Sequence, residues 1–325
     1  LELRILRGPE IKALLPMGDC IDLMRRTMIA VSEGRATIPL RSVVPVTNGF
    51  MGVMPGALGE PDGFGLKLLS LFPGNPAAGL SSHLGLVLLF EPEHGRPVAM
   101  MDAAEITALR TAAASGLATD LLARPDAGDL AILGAGEQAA SHLEAMLAVR
   151  PVRRVRVWSR TAAHAEAFAA SQGAKWDLPV EAVADPQAAV TGADLICTVS
   201  ASREPILTGD WIAPGAHLNV VGASRPDAAE IDTEAVVRAR YFVDYRPSTL
   251  AEAGEYLRAV AAGAIDATHI QAEIGEVAAG ARPGRGSAAE ITLYRSLGIA
   301  AQDLAAAHVL LEAARAAGVG QTVEF

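Results

Sequence analysis

The chain of 325 residues has little of what would mark several large classes of protein. It carries two cysteines, Cys20 and Cys197, far apart and without metal-ligand spacing. That excludes a disulfide-stapled fold and points to a reduced, cytoplasmic setting. The seven histidines form no HExxH pair, and no metal is expected. No stretch of about 18 or more residues lacks charge or strong polarity, and the start of the chain does not combine a basic segment, an apolar run and a small-residue cleavage site. Neither a membrane span nor export by that route is expected. Basic residues are also outnumbered, 27 against 37, for a net charge of −10, which argues against nucleic acid or anionic lipid as a partner. Against these absences stands a hydrophobic content of 51% with only 20% charged residues, enough apolar surface to offset chain entropy. The length is more than twice the roughly 150 residues of a typical domain and predicts two domains.

The texture along the chain separates them. Residues 9–34 read as an amphipathic helix with Ile21, Met24, Met28 and Val31 on one face and Gly34 as its stop. From Ile38 to Asp102, apolar runs at 41–47, 50–58, 64–72, 82–91 and 96–102 alternate with turn signals at Asn48-Gly49, Pro61-Asp62-Gly63 and His94-Gly95. This predicts a mostly antiparallel sheet of about five strands. Residues 104–123 are helical, and Arg124-Pro125-Asp126-Ala127-Gly128 breaks the chain before a strand at 130–133. Then come a helix at 137–149, a strand at 154–158, a helix at 162–172 and strands at 194–200 and 217–222, an alternation that calls for a parallel sheet with right-handed crossovers. Residues 298–317 form an alanine-rich helix that either finishes the second domain or packs back on the first.

The strand at 130–133 runs into Gly134-Ala135-Gly136-Glu137-Gln138-Ala139, which opens a helix. The first glycine allows the tight turn, the second lets a pyrophosphate approach the backbone, and Ala139 lets helix and strand pack closely. Gly134, Gly136, Glu137 and Gln138 are therefore assigned to a dinucleotide. The second strand ends in Val157-Trp158-Ser159-Arg160-Thr161, about 25 residues later, where an NAD-binding protein places an acid on the ribose hydroxyls. No acid stands there. Ser159, Arg160 and Thr161 suit a 2′-phosphate instead, favouring NADPH over NADH.

Several strings together, Gly52-Val53-Met54-Pro55, Leu109-Arg110-Thr111-Ala112-Ala113, Gly134-Ala135-Gly136 and Gly222-Ala223-Ser224-Arg225-Pro226-Asp227, resemble the ornithine cyclodeaminase and mu-crystallin family from about residue 10 to 310. The resemblance implies an α/β protein: a Rossmann dinucleotide-binding domain over 113–296 and an α+β, mostly antiparallel-sheet domain over 1–112 that binds substrate and forms a homodimer. It also implies that the last helix, within 297–325, returns to the first domain. A small α-amino or α-imino acid is the implied substrate, its carboxylate held by Arg41, Lys67 and Arg110. Lys67 is notable without the family, since it interrupts an otherwise apolar or small strand from Phe64 to Phe72.

The same resemblance carries over Glu273 as an acid facing the substrate, His83 as a position near the nicotinamide, and Ser82, Thr111, Ser200, Ser224 and Ser296 as cofactor or substrate contacts. Cyclodeaminases have a glutamate before the Met-Pro string and an aspartate after the Val-Gly string; here Gly52 and Ser224 stand in those places. The pattern is similar to the ketimine reductase branch, which implies hydride transfer to the C=N bond of a cyclic imino acid such as pyrroline-2-carboxylate or piperideine-2-carboxylate. Positioning does most of that work, because a protonated imine beside a carboxylate is already electrophilic. The alternatives are reductive amination of an open-chain oxo acid, as in an alanine dehydrogenase, cyclodeamination of ornithine, and an NADPH-dependent binding protein without turnover.

Overall fold

The computed structural model describes residues 2–59 and 63–324, so the expected turn at Pro61-Asp62 lies outside the described residues. The chain divides into two compact units, one of residues 1–111 and 298–325, the other of residues 112–297. The boundary between Thr111 and Ala112 falls within the helix Ala103–Leu122.

In the first unit the strands Gln321–Glu324, Glu2–Leu6, Pro97–Asp102, His83–Phe90, Gly63–Leu71 and Gly49–Leu58 lie side by side in that order. Both Ala36–Thr37 and Ser42–Val46 pair with Gly49–Leu58. The pairing is antiparallel except where Glu2–Leu6 meets Pro97–Asp102. Asn48, with φ 71°, makes the tight turn expected at Asn48-Gly49. The opening helix is two helices, Gly8–Leu14 and Met17–Ser32, because Pro16 offers no N–H and forces Leu15 out of helical geometry, to φ −135° and ψ 88°. The second of them buries Ile21, Met24, Met28 and Val31, the face read from the sequence. Against it and the sheet packs the last helix, Ala300–Ala317, which lies so close that a Cβ on Gly56 would stand 3.2 Å from Ala300 and Leu304.

The second unit is an all-parallel sheet in the order Val180–Ala182, Arg154–Trp158, Asp129–Leu133, Leu195–Thr198, His217–Val220, Thr292–Arg295, Arg240–Val243, Ile270–Glu273. From Asp129–Leu133 the chain winds outward one way and then returns to wind the other way. The strand order therefore reverses between Asp129–Leu133 and Leu195–Thr198, which places a crevice beyond their carboxyl ends. Four of these strands were not read from the sequence, and those read as 194–200 and 217–222 are shorter. The helix read as 162–172 runs from Ala162 to Trp176 and ends where Asp177 turns to φ 49°.

Candidate functional site

In the first unit, the strand Gly63–Leu71 has neighbours on both sides, with Lys67 opposite Met54 and Val87. Lys67 therefore cannot reach water along a sheet edge, and its side chain points to the covered face, 3% exposed. There its Nζ donates to Asp303 Oδ1 at 3.1 Å. Arg110, on the helix Ala103–Leu122 and 4% exposed, donates from Nε to the same oxygen at 3.0 Å and from a terminal nitrogen to Gln302 Oε1 at 2.6 Å. Asp303 and Gln302 occupy the first turn of Ala300–Ala317, where the positive end of the helix dipole meets the carboxylate. Both are fully buried, and Asp303 Oδ2 has no hydrogen-bond partner.

Gly298 completes the arrangement. Its backbone sits at φ 77°, and a Cβ there would stand 2.5 Å from an Arg110 terminal nitrogen. Its carbonyl accepts from a terminal nitrogen of half-buried Arg41 at 3.1 Å. Arg41, Lys67 and Arg110 are thus gathered around the start of the last helix. Burial, with Arg110 and Arg41 close by, drives the Lys67 ammonium down to about 8, while Asp303 pulls the other way. Such a group of cations, carrying donors on a planar fork and a point charge, is the chemistry that grips a carboxylate.

Nearby in sequence, Ser82 Oγ lies 3.0 Å from His83 Nδ1. His83 reaches solvent, yet the protein atoms crowding it and the Lys67 charge lower its pKa. Thr111 is buried, and its hydroxyl has no hydrogen-bond partner.

In the second unit the glycine turn occupies the crevice. Gly134 takes φ 128°, and a Cβ there would stand 2.7 Å from the carbonyl oxygen of Val199. Gly136 is the residue before the helix Glu137–Val149; nothing lies within 4 Å of where its Cβ would be, and no side chain caps that helix. Glu137 is exposed, Gln138 half-buried and Ala139 fully buried against the strand. The result is an open helix N-terminus of the kind that holds a pyrophosphate. At the end of the next strand Ser159 is half-buried, Arg160 exposed, and Thr161 begins the helix Ala162–Trp176 without capping it through its hydroxyl.

Ser200 donates from both its backbone N–H and its Oγ to Glu230 Oε1 at 2.7 Å. Glu230 Oε2 accepts from Thr198 Oγ1 and from the N–H groups of Gly222 and Ala223, so one buried carboxylate joins the loops that follow two strands of the sheet. Burial raises its pKa against the pull of those hydrogen bonds. Ser224 follows in the second of these loops, half-buried. Ser296 is buried with an unpartnered hydroxyl. Glu273 ends the last strand of the sheet, largely buried; its Oε1 accepts from the Arg246 N–H at 2.9 Å, and its own N–H donates to Glu276.

The helix N-terminus without a side-chain cap and the orphaned Ser296 hydroxyl fit a dinucleotide that would supply their partners. Asp303, Gln302 and Glu230 were not anticipated from the sequence. The one trace of Asp303 is a charged residue in the first turn of an alanine-rich helix. Among the described residues, Glu91, Glu93 and His94 bring metal-ligating atoms together, but on an exposed turn where Glu91 already accepts from the N–H groups of Glu93, His94 and Arg96.

The model of the ornithine cyclodeaminase/mu-crystallin family matches residues 3–318. Mouse ketimine reductase mu-crystallin is 43% identical over 283 residues, 86% of each chain. The structure of Thermococcus litoralis Δ1-pyrroline-2-carboxylate reductase in complex with NADH and L-proline superposes with a TM-score of 0.96 at 36% identity, covering 98% of this chain and 100% of the other. An archaeal alanine dehydrogenase dimer with bound NAD gives 0.94 at 33% identity, with both chains fully covered.

Proposed function

The chain belongs to the ornithine cyclodeaminase/mu-crystallin family, and from that premise we propose that it reduces small cyclic imino acids of the pyrroline-2-carboxylate and piperideine-2-carboxylate type with NADPH. It is an NAD(P)H-dependent oxidoreductase acting on C=N bonds. The observation that carries the finer reading is the gathering of buried Lys67 and Arg110 and half-buried Arg41 around Asp303 and Gly298. Three cations gathered beside one buried carboxylate leave positive charge in excess, which is costly unless a further anion is to be held there.

A reduced nicotinamide supplies the hydride that the imine carbon accepts. Gly134, Gly136 and the N–H groups opening the helix Glu137–Val149 would hold its pyrophosphate, and Ser159, Arg160 and Thr161 its 2′-phosphate. Arg110 and Arg41 orient the substrate carboxylate through planar forks, and Lys67 adds a point charge while it keeps its proton. With the carboxylate fixed, the imine carbon presents one face, which converts an encounter into an oriented unimolecular step. The positions that carry acids in cyclodeaminases hold Gly52 and Ser224, leaving ammonia loss from a diamino acid without those bases. Assembly as a homodimer belongs to the same reading: Val43, Val44 and Val46 on the strand Ser42–Val46 are exposed apolar residues that a second copy would cover.

A spectrophotometric screen tests the reading. NADPH oxidation with pyrroline-2-carboxylate or piperideine-2-carboxylate, exceeding that with pyruvate plus ammonia or methylamine, supports it. Preference for the open-chain oxo acid transfers the same clamp to reductive amination. Saturable NADPH binding without oxidation across the panel leaves a binding protein and removes the enzymatic reading.

A further inference from the structure

We propose that Asp303 is the positioning residue of the carboxylate clamp, its Oδ1 tying the Lys67 ammonium and the Arg110 guanidinium into one fixed arrangement. The proposal rests on the clamp reading above and assigns a role within it to a residue that needs no contact with the substrate.

Lys67 Nζ and Arg110 Nε approach one oxygen, at 3.1 and 3.0 Å, from two different elements, the strand Gly63–Leu71 and the helix Ala103–Leu122. Without a shared acceptor, two cations at this separation would repel each other, and burial would add to the cost of both charges. Asp303 offsets the repulsion without exposing either group, since its own side chain is 0% exposed. The remaining neighbours fix the other degrees of freedom. Gln302 accepts from Arg110 and so sets the plane of the guanidinium, while Gly298, lacking a side chain, leaves room for that plane and lends its carbonyl to Arg41.

The charged and titratable groups bearing on Lys67 are Asp303 from the last helix, Arg110 from the helix Ala103–Leu122, Arg41 from the segment before Ser42–Val46, and His83 at the start of the adjacent strand. Asp303 is the anion among them. Its removal shifts the balance toward the neutral amine. The clamp then loses its point charge at a pH where the unaltered protein still carries it.

Lysine occurs at only three positions, Lys12, Lys67 and Lys175, so in protein labelled with carbon-13 lysine the Lys67 signal is assigned by its loss in Lys67→Arg. In the unaltered protein Lys67 is expected to titrate at about 8. In Asp303→Asn the midpoint is expected to fall by about one pH unit or more, and in Asp303→Glu, which keeps the charge, to recover most of that loss. An unchanged midpoint in Asp303→Asn overturns the proposal. So does a midpoint above about 10 in the unaltered protein, a measurement that needs no variant to fold. Calorimetric affinity for L-proline with saturating NADP, followed across the same pH range, separates this proposal from the reading beneath it. A Lys67 midpoint that moves while L-proline affinity stays flat keeps the tie between Asp303 and Lys67 but removes the carboxylate clamp, and with it the positioning role. Affinity lost in Asp303→Asn with the Lys67 midpoint unmoved keeps the clamp and overturns the role given to Asp303.

Discussion

Gly298 shows how much a single residue can decide. At φ 77° an alanine is strained, and its Cβ would meet the Arg110 guanidinium at 2.5 Å. Gly298→Ala is expected to cost about 1–3 kcal/mol of stability by chemical denaturation. It should raise KM for the proposed imino acid while leaving cofactor affinity unchanged, because the displaced group belongs to the proposed clamp alone. A second change isolates the cofactor. If Arg160 meets a 2′-phosphate, Arg160→Ala should lower kcat/KM with NADPH by about 10- to 100-fold, the worth of a charge-assisted hydrogen bond, and leave the NADH value within about twofold. Equal losses with both cofactors would remove the phosphate assignment. The two residues also differ in legibility. Arg160 could be picked out because its meaning lies in a local string after a strand. Lys67 stood out as a charge in an apolar strand, but its partner is 236 positions away, and no local pattern marks an acid whose purpose appears only when the last helix folds back.

Among the elements, the glycine turn offers a contrast between two neighbours in one motif. Gly134 is required by the backbone, at φ 128° with the Val199 carbonyl 2.7 Å from any Cβ, so Gly134→Ala should destabilise the unit. Gly136 has φ −94° and open space around it. Gly136→Ala is therefore expected to leave the melting temperature nearly unchanged and to weaken NADPH binding by fluorescence titration, since the methyl group intrudes where a pyrophosphate approaches. Equal binding by wild type and Gly136→Ala would detach this helix from the cofactor. The same comparison explains which elements the sequence discloses. The helices Met17–Ser32 and Glu137–Val149 and the hairpin at Asn48-Gly49 carry their own period or turn chemistry. The strands Val180–Ala182, Arg240–Val243, Ile270–Glu273 and Thr292–Arg295 do not, being three or four residues long with no sustained alternation to report. Glu2–Leu6 and Gln321–Glu324 were equally silent, because they stabilise each other by pairing across the ends of the chain.

For the molecule as a whole, the proposed dimer makes one demand on solution behaviour. Sedimentation should give twice the chain mass, and Val44→Asp should shift it toward the monomer, since a charge in an apolar contact is left unpaired. The interior makes a second demand. His142 and His217 are fully buried, and burial lowers them to about 4 and about 3. His142 is kept neutral between the Ser115 hydroxyl and the Gln138 carbonyl, and His217 lies against Thr292 Oγ1. Below an unfolded value of 6.5, the unfolded chain takes up protons that the folded chain refuses. Stability from these two groups is thus complete above that value and falls as the pH drops. Each contributes a loss of about 1.4 kcal/mol per pH unit below its unfolded pKa, or about 4 kcal/mol for the pair between pH 7 and 5. Glu230 acts in the opposite sense, its raised pKa letting the folded state accept a proton sooner, and trims that loss. Urea unfolding across this interval should therefore show a steep decline above the range where the carboxylates titrate, and His142→Gln should flatten the slope by about half whatever its stability at pH 7. A wild-type profile level from pH 7 to 5 would mean that these imidazoles gain protons without unfolding, against the dry packing that surrounds them.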